Sequence, residues 1–293
     1  MYAMPAHFPR RSANPQFSPL SVWRNGFQVP CMAASPPDLL LVLGKFPRRP
    51  LAQYPTPLEA LPNLSKELGR ELYIKRDDEI GPGSGGNKTR KLEYLLADAL
   101  QRRARKVVTF GGLQSNHARI TAAAARQVGL EPHLFFFTPR PSILTGNLLL
   151  NEVLGAQMHF IPFGGGGDGS MTLESTIRLV RMVSLARVGP HYFIPVGGHS
   201  WLGCLGYVAA AAEIDTQAKE MGIENGYLVV AAGSGGTLAG LMAGLKLVGS
   251  SLHLIGIDVG RLWKNFPNSI ACLASEICAR LGYHHQFTPQ DVP

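Results

Sequence analysis

From about residue 71 onward, apolar residues gather alternately in short continuous runs and in longer stretches with a helical period. The strand-length runs are Leu72–Lys75, Lys106–Phe110, His133–Phe137, Gln157–Ile161, Tyr192–Pro195, Leu228–Ala232 and Leu252–Asp258. Helical period is found near 88–103, 116–128, 145–154, 172–187, 204–221, 237–247 and 266–281. Strands that alternate with helices of this length predict crossover units and parallel pairing, hence an α/β fold. Residues 1–37 break the pattern: they hold seven of the 22 prolines, no Asp or Glu, and no regular period. A disordered extension over residues 1–38 is therefore expected. A transit peptide or a misassigned start codon would leave the same composition, although the stretch lacks an amphipathic helix.

Charge alters this picture little. Five of the eight net positive charges fall within residues 1–50, where Arg10, Arg11, Arg24, Lys45, Arg48 and Arg49 face the single acid Asp38. The remaining body has no basic stripe interleaved with aromatics, so nucleic acid is not an expected partner. A mildly positive body suits anionic groups such as phosphate and carboxylate. No apolar run, Leu39–Leu43 among them, is long enough to cross a bilayer. Cys31, Cys204, Cys272 and Cys278 form no C-x-x-C and no zinc-like spacing. Reduced thiols, no metal and a cytoplasmic location are expected.

The first helix opens on a glycine-rich loop, Gly81-Pro-Gly-Ser-Gly-Gly-Asn-Lys88, with Asn87 as its candidate N-cap. Leu92, Leu95, Leu96 and Ala99 form one stripe. At about 100° per residue Lys88 falls within that stripe and Arg90 opposite it. Lys88 is thus expected to face inward and Arg90 outward. An unpaired ammonium in the interior is costly, and forming an imine removes the need to bury one. A first-turn lysine reaching back to solvent is the alternative.

Four further loops precede helices. Gly111-Gly-Leu-Gln-Ser-Asn-His117 follows a strand, and the free amides of the next helix suit a carboxylate, although Ser115 or Asn116 could simply cap that helix. Ser115 lacks the flanking glycines of a hydrolase elbow. Gly233-Ser-Gly-Gly-Thr237 follows an apolar strand and opens another helix. Its unhindered amides and two hydroxyls can close on a phosphate, and without a Walker lysine it does not suit a nucleoside triphosphate. A tight turn without a ligand is the alternative. Gly164-Gly-Gly-Gly-Asp-Gly169 formally fits a dinucleotide fingerprint, but no acid follows about 20 residues later, and a flexible connection accounts for it better. Gly197–Gly206 reads as structural, with Gly198 and His199 as possible cavity lining.

Lys75-Arg-Asp-Asp78 with Gly85-Gly-Asn-Lys-Thr-Arg-Lys-Leu-Glu93, then Gln114-Ser-Asn-His117, then Gly233–Thr237, resemble in order and spacing the D-cysteine desulfhydrase / 1-aminocyclopropane-1-carboxylate deaminase family. The resemblance covers about residues 46–281. It implies a two-lobed fold of mostly parallel sheets flanked by helices, of the tryptophan synthase β kind (fold type II of pyridoxal-phosphate enzymes). Residues 39–104 and 199–293 would form a large lobe and 105–198 a small one. It implies pyridoxal 5'-phosphate bound at Lys88, with Asn87, Asn116, Gly233, Ser234, Gly235, Gly236 and Thr237 as cofactor-binding residues. Lys88 and Ser115 would be catalytic, and Ser115, Asn116 and His117 would hold a small amino-acid substrate. The implied reaction is elimination of sulfide from D-cysteine to give pyruvate and ammonia, with aminocyclopropanecarboxylate deamination or a non-catalytic cofactor-binding homologue as alternatives. A homodimer is expected. Family members continue past the equivalent of Pro293, so a shortened C-terminal part is expected as well.

Overall fold

The computed structural model describes residues 36–162, 173–259 and 265–293. Two regions singled out in the sequence, residues 1–35 of the extension and the glycine run 164–169, lie outside them. Three elements had no clear signal in the pattern: α1 (Pro36–Leu43), β1 (Leu58–Ala60) and α2 (Pro62–Leu68). Helix α1 begins inside the last residues read as extension. The expected elements follow as β2 (Tyr73–Lys75), α3 (Lys88–Gln101), β3 (Lys106–Phe110), α4 (Asn116–Gln127), β4 (Glu131–Phe136), α5 (Gly146–Val153) and β5 (Gln157–Phe160). The chain continues through α6 (Leu173–Val188), β6 (Tyr192–Phe193), α7 (Trp201–Glu220), β7 (Tyr227–Ala232), α8 (Gly236–Val248), β8 (His253–Asp258) and α9 (Phe266–Arg280). Helix α7 starts three residues earlier than its period suggests, because Ser200 caps it by accepting from the Gly203 amide.

Strands β5-β4-β3-β6 form a parallel sheet, with Val108 opposite His133 and Phe193. β7 and β8 form a second parallel pair, and β1 and β2 a short antiparallel one. Strands β3 and β4 are buried along nearly their whole length, as crossover helices on both faces require. One core cluster lies around α7, α8 and α9, and others lie around the four-stranded sheet. A further cluster joins Leu92, Leu95 and Leu96 of α3 to Val107, Ile120 and Ile194. No helix of the described residues is long and apolar enough to cross a membrane.

Helices α7 and α8 pack almost backbone to backbone. A Cβ on Gly240 would stand 2.7 Å from the Cys204 carbonyl oxygen, and one on Gly244 2.9 Å from that of Val208. The i, i+4 spacing on both helices makes this a continuous seam.

The expectation that Arg90 points outward is overturned. Helix α3 has no solvent face over its first two turns: residues 89 to 97 are all buried. The side opposite the leucine stripe meets α7, where a Cβ on Gly206 would sit 2.2 Å from the Arg90 carbonyl oxygen. Arg90, 2% exposed, donates to both carboxylate oxygens of Asp77 at 2.8 Å and to Glu213 at 2.9 and 3.0 Å. Tyr207 and Thr56 also donate to Asp77, and Lys75 to Glu213. A period of 3.6 identifies one apolar face but not a second, ionic one. This cluster ties the strand–loop before α3 to the middle of α7.

Burial alone would raise the Glu213 carboxyl, but hydrogen bonds and charge from Arg90, then Lys75, hold it at about 2 instead of 4.5. A carboxylate depressed in the folded state contributes stability that is full above pH 4.5 and lost as the pH falls toward 2. Replacing Arg90 by Met leaves Asp77 without its guanidinium and Glu213 with Lys75 alone, and is expected to cost about 3–5 kcal/mol in urea unfolding at pH 7. In Glu213→Gln the loss of stability between pH 4.5 and 2 should be shallower than in the unaltered protein. Equal slopes would mean that Glu213 is not held by the cluster.

Candidate active site

The loop before α3 is shaped by glycines in left-handed conformations. Gly85, at φ 71°, packs so closely that a Cβ would lie 2.3 Å from the Asp78 carbonyl oxygen, and only glycine tolerates both demands. The loop delivers Lys88 as the first residue of α3. Asn87 occupies the cap position but its side chain caps nothing. Its Oδ1 instead accepts from Lys88 Nζ at 2.9 Å. Burial, and then the charge of Lys91 one turn on, pull the Lys88 amine down from 10.5 to about 7. Lys88 is only partly buried, and its amine, set against Asn87, lines the cavity described below.

Strand β3 runs into the second loop, where Ser115 caps α4 by accepting from the Ala118 amide at 3.2 Å. Its hydroxyl hydrogen remains available to donate. The Asn116 Oδ1 accepts from Asn147 Nδ2 at 2.8 Å and from Arg119 Nη2 at 3.3 Å. The amide nitrogen of Asn116 is thereby the end left to donate. His117 is buried with Nε2 2.9 Å from Thr109 Oγ1. Burial, then the charges of Lys88 and Lys91, push it down to about 3, so it is a neutral ring at ordinary pH.

The third loop links β7 to α8. Gly235 takes φ 80° at the N-cap, and no side chain caps the helix. A Cβ there would lie 2.1 Å from Ile270 Cδ1, and one on Gly197 would lie 2.3 Å from Ser234 Oγ. The amides at this helix start therefore approach the space above them without side-chain hindrance.

These loops enclose one cavity of about 220 Å³. Asn87, Lys88, Ser115, Asn116, His117, Gly233, Ser234, Gly235 and Thr237 line it, together with Val196, Gly197, Ala231 and Ala232. Of the residues singled out in the sequence, Gly236 is not in the lining; the side on which its Cβ would lie faces Lys91. Gly198 and His199 also stand outside the lining, and the preceding residues Val196 and Gly197 take that place. Lys91 and Arg119 went unrecognised in the sequence. Lys91 falls about 40° beyond the edge of the leucine stripe at about 100° per residue, so the period that turned Lys88 inward did not identify it. For Arg119, i+3 from Asn116 on α4, the spacing alone carried no chemical signal.

Residues 50–279 match the family described as pyridoxal-phosphate dependent enzyme. The chain belongs to that family. It is 39% identical over 254 residues to a Pyrococcus horikoshii protein provisionally named a 1-aminocyclopropane-1-carboxylate deaminase, covering 87% of this chain and 75% of that one. It is 41% identical over 246 residues to the D-cysteine desulfhydrase of Salmonella schwarzengrund, covering 82% of this chain and 72% of that one. The crystal structure of an ACC deaminase homologue superposes with a TM-score of 0.75 at 40% identity, covering 86% of this chain and 75% of that one. A threonine deaminase from T.th., at 22% identity and a TM-score of 0.55, covers 76% of this chain and 64% of that one and shares the fold. The architecture is thus that of the fold type II pyridoxal-phosphate enzymes.

The cavity fits the family's cofactor on its own terms. It offers a desolvated amine for an aldehyde, an uncapped helix start for a phosphate, and an amide donor for a ring oxygen. A lysine nucleophile reacts as the free amine, so a pKa of about 7 makes Lys88 reactive well below the pH at which an ordinary lysine becomes so. Competitive labelling with trace acetic anhydride, read by mass spectrometry, should show Lys88 half-reactive at about pH 7 while exposed lysines titrate near about 10. A Lys88 midpoint in the range of the exposed lysines would mean that the amine is not desolvated.

Proposed function

We propose that this chain eliminates sulfide from D-cysteine, giving pyruvate and ammonia, with pyridoxal phosphate held by Lys88. The observation that carries the reading is that the Lys88 amine and the uncapped turn Gly233–Thr237 face one cavity. Preference for D-cysteine rests on the Gly197–Tyr207 stretch, which resembles the desulfhydrase branch, and on the relationship to the Salmonella enzyme. Aminocyclopropanecarboxylate deamination is the second reading, favoured by the Pyrococcus relative and the structural neighbour.

Each residue has a role in this reading. Lys88 holds the cofactor's aldehyde and, with a pKa of about 7, is suited to hold and move the substrate's Cα proton at neutral pH. When bound, the cofactor supplies the electron sink for bond cleavage at Cα. Asn87 steadies the amine. The Ser115 hydroxyl and the Asn116 amide nitrogen donate to the substrate carboxylate and to the cofactor's ring oxygen. His117, neutral and pinned by Thr109, braces this helix start and does not exchange protons. Gly233, Ser234, Gly235, Gly236 and Thr237 seat the phosphate at the start of α8. Val196, Ala231 and Ala232 supply apolar wall.

The two-lobed division, with 105–198 as the small lobe, is supported by the confinement of β3 to β6 to that range and by the separate cluster around α7, α8 and α9. A cytoplasmic location is supported by cysteine spacing that matches no disulfide framework.

Protein incubated with pyridoxal phosphate should show a visible absorption band that borohydride fixes on Lys88 and that Lys88→Ala abolishes. D-cysteine and aminocyclopropanecarboxylate are then supplied separately, with sulfide and 2-oxobutyrate measured. Sulfide from D-cysteine supports the proposal; 2-oxobutyrate alone transfers it to the second reading. A band without turnover of either amino acid would leave a cofactor-binding protein and refute catalysis.

A further inference from the structure

Asn116 lines the cavity yet is itself exposed, so packing does not decide which end of its side-chain amide meets a ligand. Hydrogen bonds decide it instead. Asn147, on the first turn of α5, donates through Nδ2 to the Gln114 carbonyl oxygen at 2.9 Å and to Asn116 Oδ1 at 2.8 Å. A backbone carbonyl can only accept, which fixes the Asn147 amide and, through it, that of Asn116. Gln114 secures Asn147 in return. Its Oε1 accepts from the Asn147 backbone amide at 2.9 Å, and its Nε2 donates to the Thr145 carbonyl oxygen at 3.1 Å.

Arg119 is the second anchor, one turn along α4 from Asn116. It is 6% exposed, and among the described residues it forms no salt bridge. Its Nη2 donates to Asn116 Oδ1 at 3.3 Å and to the Gly85 carbonyl oxygen, in the loop that delivers Lys88, at 3.1 Å. Its Nε and Nη1 have no hydrogen-bond partner among the described residues. A buried guanidinium without a carboxylate is costly, and packing alone does not call for one. The two bonds it does make both go to groups beside the cavity. Neither Arg119 nor Asn147 lines that cavity.

We propose that Asn147 and Arg119 are positioning residues: they engage Asn116 Oδ1 within the protein and leave Nδ2 as the donor that meets an anionic ring oxygen of the ligand. The inference rests on the pyridoxal-phosphate reading of the cavity, and adds to it two residues that do not touch the ligand. Reversing the Asn116 amide would set its NH2 against two donors and offer the ligand an acceptor. An acceptor there favours a protonated ring oxygen over an anionic one. The two states differ in colour. Pyridoxal phosphate bound to a lysine absorbs in the visible when its ring oxygen is anionic and in the near ultraviolet when that oxygen keeps its proton.

Asn147→Asp puts an acceptor of the same size where the donor stood. Loaded with pyridoxal phosphate, the variant should keep the cofactor on Lys88. Its ratio of visible to near-ultraviolet absorbance should be about tenfold lower than in the unaltered protein, as loss of one hydrogen bond to a charged oxygen implies. Arg119→Leu should lower the ratio as well, and Arg119→Lys, which keeps a donor, should restore most of it; an unchanged ratio in Arg119→Leu removes Arg119 from the pair. In cofactor-free protein, NMR should follow the Asn116 side-chain NH2 hydrogens, identified by their loss in Asn116→Ser. Their exchange with water should be about tenfold slower in Asn147→Asp, where a carboxylate accepts from them. Where the band forms, an equal ratio in Asn147→Asp and the unaltered protein leaves the proposed function standing and overturns this inference. Where the unaltered protein forms no band, the proposed function is refuted and exchange decides: slower exchange in Asn147→Asp sustains the positioning of Asn116, and equal rates overturn it. If Asn147→Asp does not fold, Asn147→Ala takes its place, with a ratio about threefold lower expected and an equal ratio overturning the proposal.

Discussion

One turn of α3 carries three cationic side chains into the interior, and the protein compensates them unequally. Arg90 meets two carboxylates, with Tyr207, Thr56 and Lys75 completing the set. Among the described residues Lys88 donates to the neutral oxygen of Asn87, and Lys91 to a backbone carbonyl beside the Tyr207 ring. A planar, permanently charged guanidinium suits fixed bidentate pairing, whereas an ammonium can respond to burial by releasing its proton. Structure and chemistry are thus divided within a single turn. Arg90 anchors the helix against α7, and that anchorage holds Lys91 in the interior and Lys88 on the cavity wall.

Close backbone approach makes this burial possible. Any side chain at Gly206 would strike the Arg90 carbonyl and push α3 away from α7. Any side chain at Gly236 would strike the Lys91 ammonium, and one at Gly197 would strike Ser234. Each of these glycines removes the few ångströms that would otherwise separate a charge from the loop above it. The cavity is therefore a consequence of helix packing as much as of loop shape: α7 and α8 are drawn together along Gly240 and Gly244, and the turn before α8 is drawn down with them.

Much of this was legible in the sequence. The alternation of short apolar runs with helical stretches located β2 to β8 and α3 to α9 to within a few residues, because buried parallel strands and amphipathic helices impose distinct periods. The glycine-flanked turns at Lys88, Ser115 and Gly233 were visible as local chemistry, and the structure brings them to one cavity. What escaped was pairing across long sequence distance. Arg90 is 123 residues from Glu213, and nothing local in either stretch reveals that they meet. The same holds for Lys91, whose partner Gly197 lies 106 residues away. Elements β1 and α2 were missed for a different reason: strand and helix there are three and seven residues long, too short for a period to emerge.

Two helix starts face the cavity, and they are not equivalent anion sites. At α4 the Ser115 oxygen already accepts from the Ala118 amide, so part of that helix's donor capacity is consumed within the fold. What remains at that end is a hydroxyl hydrogen and the oriented amide of Asn116, a pair of directional donors suited to a planar carboxylate or a ring oxygen. At α8 the cap is Gly235, which consumes nothing, and the ammonium of Lys91 lies against the first residue of the helix. That end gathers uncommitted backbone amides and the helix dipole, the combination suited to a dianion. The polarity of a bound ligand follows from this asymmetry. In the proposed reading the doubly charged group lies over α8 and the carboxylate end over α4, with the Lys88 amine of α3 facing the same cavity.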